Sequence, residues 1–157
     1  MIRSYLTDGW LLARASVDLI RIDIALRRYG FHDIMTAVNR IPIADPSTLR
    51  PRDVRLAQRY ARRIRDASKF SLPWAQCLHR SLVLHRWLRL HGLPSELQIG
   101  VLKDGQALRA HAWVELNGHV LNDPPQAVAA FTRLASLDPS SSSSTLFGTS
   151  TGSIRWQ

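Results

Sequence analysis

Only one cysteine, Cys77, occurs in the 157 residues, so the chain can form no internal disulfide. Acidic residues are also scarce. Twelve Asp and Glu face 21 Lys and Arg, giving a formal charge of +9. No apolar run approaches the roughly 18 uncharged residues of a membrane span. In "MIRSYLTDGWLLARASVDLIRID", Asp8, Arg14 and Asp18 interrupt the apolar residues, so the stretch does not read as the h-region of a signal peptide. The expectation is a cytoplasmic protein with no membrane association. There is no second cysteine, no His-x-x-x-His and no His-Glu-x-x-His, so no metal site is expected. Without a Walker A or Gly-x-Gly-x-x-Gly loop, neither a nucleotide nor another cofactor is expected. No internal repeat is seen.

What is present fits a single domain with a core of useful size, 45% of the residues being hydrophobic. Thr7 or Asp8 to Arg28 reads as a helix, with Trp10, Leu11, Val17, Ile20 and Ile24 at helical spacing and Gly30 as its stop. A second short helix spans about Asp33 to Arg40. "IPIADPSTLRP", with three prolines, is a loop. Arg52–Phe70 carries Val54, Ala57, Tyr60, Ala61 and Ile64 on one face and arginines on the other. That basic face suits solvent, or a partner with acidic residues. No helix-turn-helix spacing accompanies it, so nucleic acid is not the expected partner.

"SLPWAQCLHRSLVLHRWLRLHG" follows. Pro73 suits a first helical turn, Leu78, Leu82, Val83, Trp87 and Leu90 form a buried stripe, and Gly92 ends the helix. The period then shortens. "PSELQIGVLK" reads as a strand, "KDGQ" as a turn, and "LRAHAWVEL" with "HVLND" as a hairpin about Asn117-Gly118. "PPQAVAAFTRLA" has the pattern of a short closing helix, and a five-serine run marks a flexible tail. Helices precede an antiparallel sheet, which is the α+β class. The expected organisation is a helical N-terminal region over 1–50, a core over 51–135 and a Ser-rich tail over 136–157.

A lone cysteine is usually a small buried hydrophobe. Near a helix N-terminus, however, unpaired N–H groups and the macrodipole favour a thiolate, and Cys77 has that placement. A cysteine nucleophile then needs an imidazole and a third group to orient it. His111 is the candidate base and Asp123 the candidate orienter. Their meeting depends on the hairpin. A two-residue type I′ turn pairs Leu116 with His119 and sets His111 and Asp123 on opposite faces. A three-residue loop with a bulge at Gly118 pairs Glu115 with His119 and places His111 directly opposite Asp123, with Cβ atoms about 4.5–5.5 Å apart. The catalytic reading therefore calls for the bulged turn. His79 and His85 lie six apart on the Cys77 helix, His91 is at its end, and His32 and His119 read as surface residues.

"CLHRSLVLHRWLRLHGLPSELQIGV", "HAWVELNG" and "VLNDPP" together resemble the transglutaminase-like cysteine protease half of the lasso-peptide biosynthesis B protein. The resemblance implies a papain/transglutaminase-like fold, with the cysteine helix packed on an antiparallel sheet. It implies a catalytic triad of Cys77, His111 and Asp123. It also implies a hydrolase that removes the leader from a ribosomally made precursor peptide. The expected partners are that precursor, a separate leader-binding recognition protein and the lasso cyclase. The Cys77 backbone N–H, with Gln76 as a further candidate, would meet the oxyanion, and Trp74 and Trp113 would wall the cleft. The alternatives are a transglutaminase-like acyltransferase and an arginine-rich nucleic-acid-binding protein.

Overall fold

The computed structural model describes residues 2–71, 77–105, 107–134 and 154–156. Helix α1 (Ile2–Asn39) begins earlier than its periodicity suggests and absorbs both N-terminal helices. The break expected at Gly30 is real. Its φ of 80° is left-handed, which costs glycine little, and the chain resumes as helix immediately. Which face turns inwards differs from the simplest reading of the sequence. Leu11, Ala15, Leu19 and Ile22 are buried, whereas Trp10, Val17, Ile20 and Ile24 are exposed.

The proline-rich loop contains a 3₁₀ turn (Pro46–Thr48) and leads into α2 (Pro51–Ser71). Pro51 opens α2, where its missing N–H costs nothing. The Asp53 carboxylate reaches back to accept from the Arg50 backbone N–H at 2.9 Å, satisfying one of the donors a helix start leaves open. Ala57, Tyr60, Ala61, Ile64 and Ala67 face the core and pack against α1 and α3 (Cys77–Leu90). Within α3, Leu82, Val83, Leu84, Trp87 and Leu88 are buried. Leu90, expected in the buried stripe, is exposed because the helix ends there; the chain turns out through Gly92, whose φ is 72°. The Trp87 indole N–H donates to buried Asp18 at 2.8 Å and ties α3 to α1. None of the described helices is long and apolar enough to cross a membrane.

Strands β1 (Ser95–Asp104) and β2 (Ala107–Leu116) form a long antiparallel pair in which Gly100 opposes His111. Beyond β2 lies the short β3 (His119–Val120). The closing helix, α4 (Pro125–Ala129), is shorter than its apolar pattern suggested. Past it the backbone finds ladder partners instead: β4 (Thr132–Arg133) pairs with β1, and the Leu134 N–H donates to the Ile99 carbonyl at 2.9 Å. Sheet order is β3-β2-β1-β4. Within the Ser-rich tail, β5 (Ile154–Trp156) adds a parallel pairing to β2 at Leu108–Ala110. The rest of that tail lies outside the described residues. Helix α3 packs on β1 and β2, giving the α+β papain-like arrangement with the cysteine helix against the sheet.

Candidate active site

Cys77 is the first described residue of α3 and is completely buried, packed against Ile99 of β1 and Ala112 of β2. Pro73, Trp74 and Gln76 lie outside the described residues, and so do the roles expected of them.

The hairpin corrects the sequence argument. Leu116 pairs with His119 and Glu115 with Val120, so the loop has two residues. Asn117 (φ 50°) and Gly118 (φ 77°) are both left-handed, as a type I′ turn requires. There is no bulge at Gly118. His111 and Asp123 nevertheless meet, because the pairing does not continue far enough for the register to separate them. The Leu121 N–H still donates to the Val114 carbonyl at 2.9 Å. Beyond it, side chains replace the ladder. Asn122 Oδ1 accepts from the Val114 N–H at 2.8 Å, and Ser81 Oγ of α3 donates to the Ala112 carbonyl at 2.9 Å. A continued strand would have occupied both of those backbone groups. Asn122 Nδ2 donates to Ser81 Oγ at 3.0 Å and closes the network. Released from the ladder, the chain bends at 121–123 and carries Asp123 to His111. The edge of β2 is thus open between β3 and β5, and His111 sits in that opening.

His111 Nε2 lies 3.3 Å from Asp123 Oδ2, an ion-pair distance without the alignment of a hydrogen bond to that oxygen. His111 Nδ1 is buried and has no hydrogen-bond partner among the described residues. Burial of the ring favours its neutral form, but this is outweighed by the Asp123 carboxylate and the Cys77 thiol, which together raise the His111 pKa to about 9. His111 thus lies against Asp123, and Asp123 and the Cys77 thiol both favour its protonated form.

Aromatic rings hold the imidazole from one side. His111 stacks on Trp113, with centroids 6.1 Å apart, and packs against Phe131 at 5.2 Å. Gly100, opposite His111, leaves room for these rings: a Cβ there would come within 2.8 Å of Phe131 Cβ and 2.9 Å of the Trp113 ring. Trp113 is completely buried, and its Nε1 donates to Glu115 at 2.8 Å. Arg133 reaches the same carboxylate with two hydrogen bonds, 2.8 and 3.1 Å. This clamp ties Arg133 of β4, two residues after Phe131, to Glu115 of β2.

The remaining histidines serve elsewhere. His85 is buried between Ser95 and Asn39, and burial followed by the charge of Arg89 lowers its pKa to about 4, so it is neutral. His79 contacts Asp23 at 3.2 Å, and His91 joins Tyr60 to the Trp87 carbonyl. His32 and His119 are exposed, as expected. Ser81 and Asn122 were missed by the sequence reading. The signal was there in part: Ser81 lies one helical turn after Cys77, and an Asn immediately before a candidate Asp can end a strand with its side chain.

The family model described as the transglutaminase-like superfamily matches residues 17–136, which include all of these groups. No curated protein and no solved structure matches the chain.

Proposed function

Because the chain belongs to the transglutaminase-like superfamily, which includes cysteine peptidases and acyltransferases, we propose that it is a cysteine peptidase with Cys77, His111 and Asp123 as its triad. The observation that carries this reading is His111 Nε2 at 3.3 Å from Asp123 Oδ2, with its proton affinity raised by Asp123 and by the Cys77 thiol. His111 takes the Cys77 proton, leaving a thiolate beside an imidazolium. The thiolate attacks the scissile carbonyl, forming the S–C bond. His111 gives its proton to the departing amine as the C–N bond breaks. Water, deprotonated by His111, then hydrolyses the thioester, returning acid product and free thiol. Asp123 orients the ring and balances the imidazolium charge. The backbone N–H of Cys77, near the start of α3, is suited to meet the oxyanion.

The substrate we assign is a ribosomally made precursor peptide, cut at its leader–core junction. The support is the sequence of the three blocks that resemble the lasso-peptide B protein. On this reading a separate leader-binding protein presents the leader, and the lasso cyclase takes the released core. The test mixes the protein with precursor and leader-binder and follows products by mass spectrometry. Cys77→Ala is expected to stop leader release while keeping the native circular dichroism spectrum. Cleavage by that variant would refute the assignment. A product whose new end is an amide with an added amine, in place of a free acid, would make the enzyme an acyltransferase.

A further inference from the structure

The basic face of α2 divides into two sets. Arg59 and Arg63 are paired with Asp8 of α1, at 2.6 and 2.9 Å, and Arg52 with Asp53. Arg55, Arg62, Arg65 and Lys69 have no ion-pair partner among the described residues, and all four are exposed. At 100° per residue they fall within roughly 80° of one another, so they form one stripe. The stripe passes a small cleft between α2 and α3. Arg65 and Arg80 line this cleft with Ala61, Ile64, Leu84 and Asn122. Arg80, partly buried, also has no hydrogen-bond or ion-pair partner among the described residues.

The cleft adjoins the proposed triad through two elements. Arg80 is three residues after Cys77, and helix neighbours at that spacing have Cβ atoms about 5–6 Å apart. Asn122, which contributes to the wall, is held by Ser81 and Val114 and directly precedes Asp123. Two arginine side chains thus line a recess with an apolar floor, beside the groups that would do chemistry. A carboxylate is the ligand this donor set fits, because a guanidinium presents paired N–H groups to its two oxygens. A chain with 21 basic and 12 acidic residues has few carboxylates of its own to spare for the site.

We propose that the Arg65–Arg80 cleft is a subsite for an acidic side chain of the peptide substrate, and that the Arg55–Arg62–Lys69 stripe guides an acidic segment towards it. This rests on the peptidase reading above for the identity of the ligand, but its test does not depend on cleavage. Two otherwise identical fluorescent peptides, one glutamate-rich and one with glutamine at the same positions, are titrated into the Cys77→Ala protein. At low salt the glutamate peptide should bind about tenfold more tightly, and the preference should shrink as salt screens it. Arg65→Gln with Arg80→Gln should abolish the preference. Arg28→Gln with Arg40→Gln, both exposed and away from the cleft, removes the same charge and should leave most of it. No glutamate preference, or one lost equally in both double variants, overturns the subsite. A failed peptidase reading shows separately, as leader release by Cys77→Ala.

Discussion

Replacing Asn122 by alanine removes two hydrogen bonds and leaves a gap in the edge of β2. The Val114 N–H, in a strand buried on both faces, loses its acceptor at 2.8 Å. A buried, unsatisfied donor costs about 1–3 kcal/mol. Ser81 loses a donor at 3.0 Å but keeps its bond to the Ala112 carbonyl, a loss of roughly 0.5–1.5 kcal/mol. Together these give about 1.5–4.5 kcal/mol. For a chain of this size each kcal/mol lowers Tm by about 2–4 °C, so a fall of roughly 3–18 °C is expected in calorimetry. A second consequence is specific to the site. Asn122 is what ends the ladder and sends Asp123 to His111. Without it Asp123 is no longer held at 3.3 Å, and the His111 pKa should fall from about 9 towards its ordinary 6.5, as followed by NMR titration of the ring. Asn122→Asp keeps the acceptor for Val114 and should preserve more of the stability. A Tm within about 2 °C of wild type, with His111 still titrating near its original value, would refute the claim that this side chain terminates the strand.

Asp123→Asn should likewise lower the His111 pKa by NMR, and, in a peptidase assay, shift the alkaline limb of kcat/KM down from near pH 9. Because His111 binds its proton more tightly when folded than unfolded, its contribution to stability is complete below about pH 6.5 and is lost as pH rises through about 9; urea midpoints across that window should decline less steeply in Asp123→Asn. Gly100→Ala forces Phe131 and Trp113 apart, which should cost about 1–3 kcal/mol by urea unfolding and perturb the His111 ring resonances. Asp18→Ala orphans the Trp87 indole N–H, with an expected loss of about 1–3 kcal/mol, whereas Asp18→Asn retains an acceptor and should lose less; equal losses would argue against the hydrogen bond at 2.8 Å as the cause.

The order of elements and the α+β class were legible in the sequence because they rest on local rules. Apolar period separates helix from strand, Gly30 and Gly92 break helices, and Asn117-Gly118 marks a hairpin turn without fixing which of two turn types it makes. What local rules could not settle was how far a pairing persists. The hairpin register alone would have kept His111 and Asp123 apart. The outcome was decided by Ser81 of α3 and Asn122, 41 residues later, which satisfy the Ala112 and Val114 backbone groups in place of a third strand. The same holds for α1, whose apolar residues surround much of the helix: only the approach of α2 and α3 determined that Leu11, Ala15, Leu19 and Ile22 are buried while Trp10 and Ile24 face solvent. Sequence determined the chemical groups and their elements. Contacts between residues far apart in the chain determined which backbone groups were already satisfied, and so where the sheet ended and where Asp123 was free to turn.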